Sequence, residues 1–129
     1  MKKIGNITKE RGAEPTDNDI SAALFLIDQG FDVKFLRANR IKGSHTPDIE
    51  MNNEKWEIKT PRKNGKYTIE HLIRDGLNQS PNIIFDLRKS KSRSESSIRQ
   101  KIGKQFKMTK KWRKLIVITK SAKMLTFAK

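Results

Sequence analysis

The sequence contains no cysteine, which excludes a disulfide-stapled fold, a thiolate metal site and a thiol nucleophile. Long apolar runs are missing too. The longest, Ala22 to Ile27, is six residues, far short of the roughly 20 that span a bilayer. Met1 to Glu14 holds no apolar stretch of signal-peptide type, so the chain reads as soluble, with no export signal of its own. Aromatic residues are sparse at 7% and hydrophobic residues reach 34%, enough for one modest core and too much for a wholly disordered chain. Acids are scarce: 14 Asp and Glu face 29 Lys and Arg, for a net charge of +15.

What is present is a basic chain of 129 residues, a length that suggests one domain. An excess of this size attracts polyanions. Nucleic acid is the commonest, with an anionic membrane surface or an acidic protein as alternatives. The excess is uneven. After Leu87 there are 15 Lys or Arg and one acid, Glu95. From Asp17 to Glu57 the charges nearly balance, and Asp48, Glu50, Glu54 and Glu57 fall within ten residues. A plain polyanion binder has no need of clustered acids. A solvated basic face kept for solubility is the simpler account of the charge; a basic binding face beside an acidic pocket explains more.

No internal repeat is visible, and the only low-complexity stretch, Lys89 to Ser94, reads as a mobile basic loop. Residues 1–15 read as an irregular N-terminal segment and 16–129 as the folded domain. Thr16 as N-cap with Asp19 three residues on marks a helix start, and Gly30 marks its end. Phe31 to Leu36 alternates like a strand. Arg37 to Thr46 is a loop, Pro47 to Met51 a strand, Asn52-Asn53 a turn, and Lys55 to Thr60 the returning strand. After a loop at 61–66 come a helix from Thr68 to Gln79 and an apolar strand from Asn82 to Leu87. A basic helix from Ser94 to about Phe106 precedes two closing strands, Lys114 to Thr119 and Met124 to Phe127. The fold class is α/β, a single domain with a central mixed β-sheet flanked by helices.

The chemistry concentrates in Thr46-Pro47-Asp48-Ile49 and Glu57-Ile58-Lys59. Successive strand residues point to opposite faces, so Glu57 and Lys59 share one face and the core residues Trp56 and Ile58 the other. The Asn52-Asn53 turn folds Asp48 back beside them. Two carboxylates and a lysine at one point suit metal-assisted phosphodiester hydrolysis. Asp48 and Glu57 would hold Mg²⁺ or Mn²⁺ through hard oxygen ligands, and Lys59 would orient the attacking water or stabilise transition-state charge. The competing account is a solvated hairpin face with an ordinary cross-strand Glu/Lys pair. Asp19 shares a helix face with Ala22, Ala23 and Leu26, so it either caps its helix, contributes to the metal or its water shell, or does both. Glu14 and Asp17 are fallback acids.

These residues resemble the PD-(D/E)xK nuclease superfamily. More narrowly, the chain is similar to the C-terminal nuclease domains of bacterial contact-dependent growth inhibition toxins. The likeness is carried by Asp17-Asn18-Asp19 with Ala22-Ala23, Leu26 and Gly30-Phe31-Asp32-Val33. Further stretches are Thr46-Pro47-Asp48-Ile49 with Trp56 to Pro61, Gln79 to Arg88, and the Leu115 to Thr119 strand. In that family the helix acid is usually Glu; here the shorter Asp19 takes its place. The resemblance implies a restriction-endonuclease-like sheet and a metal-dependent nuclease acting on RNA, most often tRNA. It also implies a cognate immunity protein, which the basic charge would make acidic. Such a toxin acts in the bacterial cytoplasm after delivery as part of a secreted protein. A DNA endonuclease of the same superfamily and a non-catalytic basic nucleic-acid-binding domain are the alternatives.

Substrate grip is expected from Gln79, Arg88, Lys101, Lys104, Lys110, Lys111 and Arg113. For Gln79, and for Ser80 beside it, a plain helix end before Pro81 competes; for Arg88, an internal pair with Asp86. His45 and His71 are isolated and make no metal-site signature. Tyr67, Phe106 and Trp112 flank basic residues and either stack on bases or pack internally.

Overall fold

The computed structural model describes residues 3–38, 46–62, 67–91 and 95–129. The expectations for His45, for Ser92 to Ser94 and for the loops at 39–45 and 63–66 lie outside the described residues. Ten elements follow one another: β1 (Ile7–Lys9), α1 (Asp17–Asp28), β2 (Val33–Phe35), β3 (Ile49–Met51), β4 (Glu54–Lys59), α2 (Thr68–Gln79), β5 (Asn82–Asp86), α3 (Glu95–Met108), β6 (Lys114–Ile118) and β7 (Met124–Ala128). The seven strands form one mixed sheet in the order β1-β2-β3-β4-β5-β6-β7. β1 and β2 are parallel, as are β4, β5 and β6; the remaining neighbours are antiparallel.

Alternation along the strands divides the core between the two faces. Val33, Phe35, Ile49, Met51, Trp56, Ile58, Ile84, Ile116 and Ile118 pack with Ala22, Ala23, Phe25 and Leu26 of α1. Ile83, Phe85, Leu115 and Val117 pack on the other face with Ile69 and Ile73 of α2 and Ile98, Ile102 and Phe106 of α3. The fold is therefore α/β, a mixed sheet with one helix on one side and two on the other. Trp112 is fully buried in the second core. Its ring meets Phe106 edge-on at 5.3 Å and its indole N–H donates to the Lys114 carbonyl at 3.0 Å, so it packs internally and is not a stacking surface for bases.

The turn chemistry follows the residues. Thr16 and Asp19 form a complete capping box, Gly30 leaves α1 at φ 99°, and Asn52 and Asn53 both take positive φ, 55° and 62°. Two successive left-handed residues make the tight hairpin turn whose twist matches the strands it joins.

The N-terminal segment departs from expectation. Residues 1–15 were expected to be irregular, yet Ile7–Lys9 is an edge strand parallel to β2. All three of its residues are exposed, so it rests on backbone pairing alone and leaves no hydrophobic alternation in the sequence. Gly5 seats this segment: its N–H donates to the Ile27 carbonyl at 2.8 Å, and a Cβ there would lie 1.8 Å from the Phe31 carbonyl oxygen. Backbone cannot step aside as a side chain can. Gly5→Ala is expected to cost about 2 kcal/mol or more and to lower Tm by roughly 5–10 °C; an unchanged melting curve would show that β1 contributes nothing.

Candidate functional site

The hairpin β3–β4 builds the acid cluster. Asp48 stands just before β3, its N–H donating to the Trp56 carbonyl at 3.0 Å. Its Oδ2 accepts from the Ile58 N–H at 2.8 Å, which turns the carboxylate toward β4. Glu57 and Lys59 lie level with Ile83 and Phe85 of β5, on the face covered by α2. Glu57 is 7% exposed, and its Oε2 sits 3.2 Å from Lys59 Nζ. The stem of Lys59 passes beneath α2 at Gly76, where a Cβ would meet Lys59 Cε at 3.4 Å and Ile83 Cδ1 at 2.9 Å. A helix residue without a side chain thus leaves room for the lysine.

The electrostatics follow from burial. Desolvation and the neighbouring Asp48 carboxylate push the Glu57 carboxyl up to about 8. Asp48 is also raised, by desolvation first and then by the charge of Asp19. Asp19 lines the same cleft as Asp48, and its own Oδ2 accepts the Thr16 N–H at 3.1 Å, so the helix cap and proximity to Asp48 coexist. With both carboxylates ionised, buried Glu57 Oε1 has no hydrogen-bond donor. A proton on Glu57 would meet that deficit, and the raised Glu57 carboxyl favours one.

The same deficit is what a hard cation satisfies. Among the described residues no three His, Cys, Asp or Glu side chains gather to hold a metal. Mg²⁺, however, is commonly held by one or two carboxylates, with water and substrate phosphate completing its shell. Asp48 and Glu57 fit that pattern. A cleft of about 440 Å³ opens beside Asp48, lined also by Glu14, Pro15, Asp19, Thr46 and Pro47 among others; Glu57 and Lys59 do not line it.

The remaining expected site residues are dispersed. Lys101 and Lys104 are exposed on α3, and Lys110, Lys111 and Arg113 are exposed on the turn that follows. The Arg113 N–H donates to the Pro81 carbonyl at 2.8 Å, which places that turn where β5 and β6 begin. Gln79 is half-buried, one turn beyond Gly76 on α2. Arg88 serves internally. It binds the fully buried Asp86 through Nε at 2.9 Å and Nη2 at 2.8 Å, and Nη2 also reaches the Ser21 carbonyl at 3.0 Å. Its guanidinium lies over Phe25, so it clamps α1 to the end of β5.

Sequence reasoning missed two cations. Arg62 Nη2 and Lys89 Nζ both donate to Asn18 Oδ1, at 2.8 and 2.9 Å. They lie 44 and 71 residues from Asn18 in the chain, and no local pattern links them.

Fold and cluster together define an α/β domain with an acid–lysine centre at the seam of a mixed sheet. The family model of the contact-dependent growth inhibition CdiA C-terminal domain matches residues 44–124, more than half of the chain, and the chain belongs to that family. Among solved structures it is similar to the CdiA-CT/CdiI toxin and immunity complex from Burkholderia pseudomallei, with 19% identity and a TM-score of 0.63 over 95% of this chain and 99% of that one. At that identity the likeness is one of fold. No curated protein matches the chain.

Proposed function

We propose that this chain is the toxin domain of a contact-dependent growth inhibition protein, and that it is a metal-dependent nuclease of PD-(D/E)xK type hydrolysing RNA, with tRNA as substrate. One observation carries the enzymatic reading: the buried Glu57 carboxyl crowded by the half-buried Asp48 carboxyl, with Lys59 Nζ 3.2 Å from Glu57. Burying one acid against a second costs stability, and a structural hairpin has no need of it. Family membership supports the toxin reading; the choice of RNA rests on the resemblance in the sequence.

In this reading Asp48 and Glu57 hold Mg²⁺ or Mn²⁺, which when bound polarises the scissile phosphate and lowers the pKa of a water. Lys59 orients that water or steadies charge on the phosphate oxygens. The Ile58 N–H fixes Asp48, and Asp19 adds negative charge from α1. The basic residues of α3 and the turn after it draw in the nucleic acid. The solved relative is a complex of toxin and immunity protein; the corresponding partner here would be a cognate immunity protein, acidic to match a charge of +15. Action would follow delivery into the cytoplasm of a target bacterium.

The test is incubation with total tRNA and with plasmid DNA, each with Mg²⁺, Mn²⁺ or EDTA. Cleavage of tRNA in the metal-containing tubes alone is the expected result. Cleavage of plasmid alone would make the chain a DNase, and cleavage that survives EDTA would overturn the metal mechanism. Replacing Lys101, Lys104, Lys110, Lys111 and Arg113 together by Gln is expected to weaken tRNA binding and to flatten its dependence on salt, by about 0.7–0.9 in log–log slope per lost phosphate contact. An unchanged slope would place the grip elsewhere.

A further inference from the structure

The two cations on Asn18 stand outside the acid cluster. Arg62 lies three residues beyond the end of β4, and Lys89 three beyond the end of β5. The Lys91 N–H donates to the Arg62 carbonyl at 3.1 Å, which ties the two loops together. Both side chains then reach the first turn of α1 and end on one amide oxygen, next in sequence to Asp19. Among the described residues neither forms an ion pair with a carboxylate. A neutral acceptor orients them without cancelling their charge. Each uses one donor on Asn18, out of five on a guanidinium and three on an ammonium. Two like charges brought to one point repel, and an anion placed between them relieves the repulsion. In an open α/β sheet the carboxyl ends of parallel strands are also where ligands bind.

We propose that Arg62 and Lys89, gathered by Asn18 at the first turn of α1, form a phosphate clamp for the backbone of a nucleic acid. Arg62 supplies the planar fork that matches phosphate oxygens, and Lys89 a point charge. The assignment rests on the nuclease reading for its substrate, and on the Asn18 geometry for its place.

Asn18→Asp provides the test. It keeps the shape, suits the first turn of a helix, and puts a carboxylate between the two cations. A purely structural role for them predicts equal or higher Tm and unchanged binding. The clamp predicts equal or higher Tm together with weaker binding. Fluorescence anisotropy with labelled tRNA in EDTA should show affinity falling about tenfold, with the log–log salt slope reduced by about one to two. Arg62→Gln with Lys89→Gln should give the same loss and settles the matter if Asn18→Asp does not fold. Wild-type binding in the double variant, or in a folded Asn18→Asp, overturns the clamp. Because binding is read without metal, a wild-type protein that cuts nothing would sink the nuclease reading while still deciding the clamp.

Discussion

Glu57→Gln is expected to be more stable than the parent protein at pH 8 and no more stable at pH 5. The sign follows from proton counting. Glu57 titrates near 4.5 in the unfolded chain and at about 8 in the folded one. Between those values the native state holds the extra proton, so the parent loses stability as pH rises through the window. Below it both states are protonated and the group is neutral in its effect. Gln cannot ionise, so the variant skips the loss, and the gap at pH 8 to 9 should be on the order of a few kcal/mol. Asp48, also raised, adds to the parent's slope from lower pH. Thermal melts in EDTA from pH 4.5 to 9 read the effect directly. Mg²⁺ added at pH 8 should raise the parent's Tm and leave Glu57→Gln nearly unmoved, because a bound cation would offset the carboxylate charge that Gln lacks. A flat pH profile in the parent would mean that the pair is not crowded.

Asp48→Ala and Lys59→Ala carry the largest expected effect on activity. Asp48→Ala removes the carboxylate proposed to hold the metal and the acceptor of the Ile58 N–H; tRNA cleavage should fall at least about 1,000-fold. Binding in EDTA should hold or tighten, since a negative charge leaves a surface that meets phosphate. Lys59→Ala should reduce kcat by about 100- to 1,000-fold, the range for a donor that meets charge only in the transition state, with KM changed far less. Single-turnover cleavage and equilibrium binding separate the two. Normal cutting by both variants would move the active centre away from the β3–β4 hairpin.

Much of this arrangement is written locally in the chain. The Thr16–Asp19 cap, the Asn52-Asn53 turn, the alternation that puts Glu57 beside Lys59, and the apolar run of β5 are each legible within a few residues, because short-range geometry fixes them. Strand β1 is not legible: its side chains are exposed, and backbone pairing leaves no mark in the sequence. Arg88 reads as either ligand grip or internal pair, and only the contact with Ser21 across the core distinguishes them. The meeting of Arg62 and Lys89 at Asn18 depends on tertiary closure. The basic excess after Leu87 points to α3 for substrate grip; it includes Lys89 but not Arg62, and nothing in it marks Lys89 as the residue that meets Arg62 at Asn18.

The sheet order has a kinetic consequence. Every strand pairs with its neighbour in sequence, so no strand waits for a distant segment before it can dock. The longest excursions between neighbours are those spanned by a single helix, and loop-closure entropy grows only slowly over such distances. The parallel pairings β1–β2, β4–β5 and β5–β6, each closed over a helix, are the slower steps. The order still lets the sheet assemble progressively along the chain from either end. A domain that must take shape as it emerges end-first from a confined passage can then bury each strand as it appears, and Lys59 meets Glu57 well before the last basic residues arrive.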